Sequence, residues 1–473
     1  MLIRGAEVWR HGRADVRLAG GTIAAVGTLT PLPGEPVIDA QGGLLLPGLH
    51  DHHIHLAALA ARRASLDCAK IRDEGELARL LRAPGTGWLR ATGFDEGATG
   101  GFLPDAEMLD RIVPDRPLRV QHRTGRMWLL NSRALSELLV AGPPPPGMER
   151  AGDRFTGRLF DEDAWLRKAL GSTPPDLGAV SVELARHGVT GMTDMSPRND
   201  PAFARHIAEQ RAGRRLLQPT VLAGALTLAL AREDGWRIGP LKLHLHEAAL
   251  PDFDEACGTV RAGHEQGRAV AIHCVTEVEL VFALAVLETA SAVPGDRIEH
   301  VSVAPSELVA RMRALGLQAC VQPHFIAEHG DRYLRDVEPR HHRDLYRLAT
   351  LRDAGLVLAG GSDAPYGSAN PWQAMAAAHA RTTAAGLPIG PDEALSPEEA
   401  VALYLGDGLD LSRERRVAVG AAADLCLLDR SWAEASVDLA AVTVSATVVA
   451  GHVVHQRIDE APGVRLARAH SPA

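Results

Sequence analysis

Eight short apolar runs, separated by stretches with helical periodicity, constrain this chain more than any other feature. They are GLLLPGLHDHHIHL from residue 43, VTGMTDM at 189–195, QPTVLA at 218–223, LKLHLHE at 241–247, AVAIHCV at 269–275, DRIEHVSV at 296–303, QACVQPH at 318–324 and LVLAGGSDAP at 356–365. Short apolar strands alternating with amphipathic helices build α/β structure around a parallel sheet. Eight such units fit a closed (β/α)8 TIM-like barrel, whose chemistry gathers at the C-terminal ends of the strands.

The two ends of the chain read differently from the middle but like each other. LIRGAEVW, ADVRLAGGTIAAVG and EPVIDAQGGLLL open it, and RRVAVGAAADLCLLD and AVTVSATVVAGHVVHQ lie near its end, all strand-like and broken by glycine turns. They predict one small β-sandwich domain assembled from both ends, with two unrelated edge hairpins as the alternative. Residues 61–175 break the alternation. They hold two strand-like runs, GWLRATGFDE and RPLRVQHRTG, and a four-proline loop, AGPPPPGM, that cannot pair regularly. This stretch is expected to be an α/β insertion after the first barrel strand that covers the barrel mouth, a surface excursion being the alternative. The expected order is an N-terminal sandwich segment (1–46), barrel start (47–60), insertion (61–175), barrel remainder (176–408), and a C-terminal sandwich segment with a tail (409–473).

Composition narrows the function classes. With 46% hydrophobic and 23% charged residues in 473, the chain can bury a large core. A net charge of -9 gives no basic surface for nucleic acid. No apolar run approaches the roughly 18–20 residues of a membrane span, and MLIRGAEVWRHGRADV lacks the order of a secretory signal. The five cysteines are scattered and odd in number, which suits free thiols in a cytoplasmic protein. The expected partner is a small-molecule substrate, with neither nucleic acid nor membrane; a homo-oligomer remains open.

The polar residues on these runs carry the chemistry. His53 and His55 sit two apart on the first strand, so both imidazoles project to one side. His273, His300 and Asp363 end the fifth, sixth and eighth runs. Four imidazoles and a carboxylate on one barrel face make a ligand set for a divalent metal, zinc above all, with one or two ions. Lys242 lies on the fourth run with His244 and His246 on the same face. A lysine inside a barrel must be neutral or paired. Carboxylation by carbon dioxide would make Lys242 a metal-bridging anion, and pairing with Asp or Glu is the alternative. His244 and His246 back the ligands or line the cavity. Arg123 and Arg126 in the insertion offer guanidinium forks for a substrate carboxylate, or form surface ion pairs. Trp128, Phe325 and Trp372 supply apolar walls or pack in cores, and His324 ends the seventh run facing the same cavity.

PGLHDHHIH resembles the PGxxDxHxH signature that opens the barrel of the amidohydrolase superfamily. AIHC, RIEHVSV, VQPHF and GSDAPYGSANPW resemble, in order, the later motifs of its amidohydrolase 3 family, and TGFDEGATGGFLPDAEMLDRIVPDRP and RPLRVQHRTGRMWLLNSRAL its insertion. The resemblance spans nearly the whole chain. It implies a distorted barrel with one or two divalent metals, His53, His55, His273, His300 and Asp363 as ligands, and Lys242 at the place of a carboxylated lysine. The sequence departs from the family pattern twice. KLHLHEA has His246 near a usual aspartate-glycine, and Arg126 precedes Met127 and Trp128 where a histidine is usual.

The expected activity is hydrolysis of a non-peptide C–N bond in an amide, cyclic amide or N-acyl compound. Asp363 handles the proton, and His300 or His273 ligates metal or steadies the oxyanion. An ester, lactone or carbamate hydrolase would share the site, and an isomerase, a decarboxylase or a non-catalytic relative would share the barrel. No G-x-S-x-G elbow supports a serine hydrolase.

Overall fold

The computed structural model describes residues 1–171 and 174–457. The chain forms two compact units, one over Met1–Ile54 together with residues from Ser181 onward, the other over His55–Val180.

The first unit holds the barrel. Its strands are β1 (Leu49–Ile54), β2 (Val189–Asp194), β3 (Thr220–Gly224), β4 (Arg237–His244), β5 (Val270–Cys274), β6 (Arg297–His300), β7 (Gln318–Val321) and β8 (Val357–Gly360). They pair in parallel in sequence order, and each of the eight predicted runs overlaps one barrel strand, although β4 starts at Arg237, four residues before its run. The register sets His244 beside His273, His273 beside Glu299 and Cys274 beside His300. The ring closes where β8 runs out against β1. There the Asp363 N–H donates to the His53 carbonyl at 2.6 Å. Gly361 makes this approach feasible, because a Cβ there would lie 2.4 Å from the His53 Cβ.

All six residues of β1 are buried. Alternate side chains of a barrel strand face the interior and the outer layer, which explains why even its histidines are enclosed. On the outer parity, His50 Nε2 lies 2.9 Å from Thr193 Oγ1.

Local signals start the helices. Thr276 and Glu279 form a capping box at the head of the helix Glu277–Ala290, which then buries Leu280, Ala283, Leu284 and Leu287. Each such leucine stabilises the fold by about 2 kcal/mol over an exposed one. The alternation fails once. Between β3 and β4, residues 225–236 carry a single 3-10 segment, Leu226–Leu230, in place of a helix.

Both chain ends build one sheet, in the order 452–456, 444–449, 425–428, 44–47, 2–8, 12–19 and 22–27, with 37–39 beside 2–8. Ile23 in the edge strand 22–27 and Ala446 and Val448 in the strand next to the other edge share a core with Ile3, Val8, Leu45, Leu425 and Leu427. The expected β-domain from both chain ends is thus one sheet around one shared core. Of the predicted tail, residues 458–473 lie outside the described residues.

The second unit has a six-stranded sheet in the order 148–151, 154–160, 127–130, 118–122, 89–94 and 66–67. Two apolar clusters sit on it, one around Leu77, Phe94 and Leu118, the other around Trp128, Leu135 and Leu159. Among the described residues, no helix is long and apolar enough to cross a membrane.

Candidate metal centre

The C-terminal rim of the barrel brings the expected ligands together. Nitrogens of His53 and His55 and a carboxylate oxygen of Asp363 all lie within 4.8 Å of one another. His53 Nε2 is 3.3 Å from Asp363 Oδ1. The His53 and His300 rings are 4.9 Å apart between centroids, those of His300 and His273 4.5 Å, and those of His273 and His244 4.3 Å. His244 thus extends a continuous row of imidazoles.

Backbone strain marks the same rim. His300, Val301 and Asp363 adopt φ of +71°, +49° and +50°. Non-glycine residues rarely hold the left-handed region, and where they do the surroundings enforce it, most often at functional sites.

Two of the expected ligands, His53 and His300, are held from behind. His53 Nδ1 lies 2.5 Å from Glu299 Oε2, and Arg297 Nε donates to Glu299 Oε1 at 2.6 Å. His300 Nδ1 lies 2.7 Å from the amide oxygen of Gln322. A carboxylate and an amide oxygen only accept, so both rings carry the Nδ1 proton, which turns Nε2 of His300 and Nε2 of His53 toward the rim, the latter facing the Asp363 carboxylate. The loop bearing Asp363 is braced twice. Asp51 accepts the N–H groups of His53 and Ser362 at 3.1 and 3.0 Å, and the buried His324 donates Nε2–H to the Ser362 carbonyl at 2.9 Å.

Electrostatics follows burial. Burial, with the His53 and Lys242 charges adding to it and Asp363 opposing, pushes His300 down to about 3. Burial and the neighbouring His300 push His273 far below the ordinary imidazole range. Both rings are neutral, the form that ligates metal. Burial disfavours the Glu299 carboxylate, yet Arg297 and His53 hold it well below the usual range. Burial raises the Asp51 carboxyl to about 6 against its hydrogen bonds.

Lys242 is 5% exposed, and its Nζ has no hydrogen-bond partner. Burial lowers its pKa against the pull of Glu299 and Asp363. The expected alternative, a pairing with Asp or Glu, does not form: Glu299, the first of the carboxylates acting on it, is engaged by Arg297 and His53. Glu299 also lies with His53 and Cys320 in a second group of candidate donors. That group serves as the backing of His53, because Arg297 occupies the carboxylate and burial keeps the Cys320 thiol protonated.

The other expected site residues have the following surroundings. His246 is exposed, and its Nδ1 accepts the Ala248 N–H at the head of a short 3-10 turn. Arg126 forks onto Asp161 at 2.8 and 2.7 Å, and Arg123 pairs with Asp95 at 2.5 Å, each an exposed pair within the second unit. Trp128 packs in that unit's core and donates to Asp163 at 3.0 Å. Trp372 is buried, donating to the His187 carbonyl, and Phe325 packs with Ile326 and Tyr346. Sequence reasoning missed Asp51, Arg297, Glu299 and Gln322. Asp51 is the aspartate of the PGxxDxHxH run, Gln322 lies within VQPHF, and the Arg297–Glu299 pair shows as two opposite charges at i and i+2 in an apolar strand.

The sequence profile of the amidohydrolase family matches residues 36–455, and the chain belongs to that family. It is 26% identical over 524 residues to the N-substituted formamide deformylase of Arthrobacter pascens, covering 93% of this chain and 95% of that one. It is 24% identical over 484 residues to YtcJ of Bacillus subtilis, covering 90% and 91%. Among solved structures, an uncharacterized metal-dependent hydrolase from Pyrococcus furiosus superposes with a TM-score of 0.76 at 21% identity, covering 91% of this chain and 99% of that one. Another from Pyrococcus horikoshii gives 0.77 at 20%, covering 96% and 99%. At these identities the superpositions establish the shared fold.

Proposed function

We propose that the chain is a metal-dependent hydrolase of small molecules that cleaves a non-peptide C–N bond in an amide, cyclic amide or N-acyl compound. The convergence of His53, His55 and Asp363 carries this reading, since two imidazoles and a carboxylate suit a first-row divalent cation, zinc foremost. The unpartnered Lys242 supports it further. A lone buried ammonium costs several kcal/mol, whereas a neutral amine can add carbon dioxide, releasing one proton to leave an N-carboxylate. That anion would complete a site of one or two ions with His273 and His300.

When bound, such a cation lowers the pKa of water from 15.7 toward about 7 and polarises a carbonyl. The residues do the rest. His53 and His300 present Nε2 in fixed orientation because their Nδ1 protons are committed behind them. Asp363, held to the His53 backbone, takes the proton of the attacking water and returns it to the leaving nitrogen. The products are a carboxylic acid and an amine. The Arthrobacter pascens relative, by its name, removes formyl groups from N-substituted formamides, and such compounds head the substrates to test.

The test is a panel of N-substituted formamides, N-acyl amino acids, hydantoin-like rings, carbamates, lactones and esters, with products identified by mass spectrometry. Turnover of an amide-type member is expected to exceed that of the matched ester. Turnover confined to esters or lactones would overturn the C–N assignment while leaving the metal site standing.

A further inference from the structure

We propose that Glu299 is a positioning residue that sets the tautomer of His53, with Arg297 deciding which way that control runs; this rests on the reading of His53 as a metal ligand. Glu299 is fully buried, with one carboxylate oxygen 2.6 Å from Arg297 Nε and the other 2.5 Å from His53 Nδ1. Arg297 itself is fixed, its Nη2 donating to the His52 carbonyl at 3.1 Å and lying 3.0 Å from the Met195 sulfur. The three side chains form a buried line ending at the Nε2 that faces Asp363.

The chemistry of this line is directional. A guanidinium only donates, so the group beside it must accept. A carboxylate accepts on both sides and thereby requires the proton on His53 Nδ1. An amide at position 299 has one acceptor end and one donor end. With Arg297 in place its oxygen must turn to the guanidinium and its NH2 to His53. Nδ1 then becomes the acceptor, the ring proton moves to Nε2, and the nitrogen aimed at the cation can no longer ligate it. An isosteric change behind the ligand therefore disables it without moving it. Replacing Arg297 by an apolar side chain removes the demand on the amide oxygen, which can then turn to His53 and restore the ligating tautomer.

Three proteins decide the matter: wild type, Glu299→Gln, and the double variant Arg297→Met with Glu299→Gln. Zn2+ affinity is measured by chelator competition, and the visible spectrum is taken after loading with Co2+. Glu299→Gln is expected to weaken Zn2+ binding by about 10- to 100-fold, the range for groups that orient metal ligands, with a changed Co2+ spectrum. The double variant is expected to recover most of that loss. Circular dichroism checks that each variant folds. In Zn2+-loaded, 15N-histidine-labelled wild type, NMR is expected to show the His53 proton on Nδ1. Wild-type affinity in Glu299→Gln, a double variant that binds no better than the single one, or a proton on His53 Nε2 in wild type would each overturn the proposal. Failure of wild type itself to bind metal would strike instead at the metal centre.

Discussion

His53 is gripped at three atoms: Glu299 behind its Nδ1, Asp51 on its backbone N–H and the Asp363 N–H on its carbonyl. Asp363 is thus positioned by backbone contacts and by strain at φ +50°, leaving its carboxylate to work. Asp363→Asn keeps the size and removes the proton acceptor. Its kcat is expected to fall by about 10²- to 10⁴-fold at saturating Zn2+, in a steady-state assay; an unchanged kcat with metal bound would exclude Asp363 from proton transfer. Lys242 makes a separate prediction. Protein loaded with 13C-labelled bicarbonate should show a lysine carbamate resonance by NMR, absent from Lys242→Ala. Its absence in wild type would show that Lys242 is not carboxylated.

At the scale of elements, the site depends on how closely β8 meets β1. A Cβ at position 361 would stand 2.4 Å from the His53 Cβ and 2.7 Å from its backbone nitrogen. Gly361→Ala must push the strands apart, at an expected cost of about 1–3 kcal/mol for overpacking in urea unfolding, and with weaker Zn2+ binding because Asp363 moves from His53. Unchanged stability and affinity would show that the closure has slack. The eight strands were legible as short apolar runs between helical stretches, and the row His53, His273, His300 and Asp363 was legible because those residues lie at or just past the ends of their strands. The groups behind them were not. Glu299 and Gln322 gain their roles only once β1, β6 and β7 stand side by side, and Asp51 only once Ser362 arrives from the far end of the barrel. The Arg126–Asp161 and Arg123–Asp95 pairs join residues from separate strands or loops, so charge alone could not tell a surface pair from a substrate clamp.

Across the whole molecule, the terminal sheet ties the chain ends to the barrel. The strand 44–47 pairs with 425–428 and leads almost directly into β1. A chain ending at residue 424 would lose three strands and uncover Ile3, Val8 and Leu45. It is expected to be insoluble or unfolded by circular dichroism, and a soluble, cooperatively folding product would show that the barrel stands without the sheet. The central claim, that this barrel holds a metal for hydrolysis, is tested most directly by elemental analysis coupled to activity. Purified protein should carry one or two equivalents of a divalent metal, lose amide hydrolysis when a chelator strips it, and regain activity when Zn2+ is returned. Full hydrolytic activity in protein stripped of metal would contradict it.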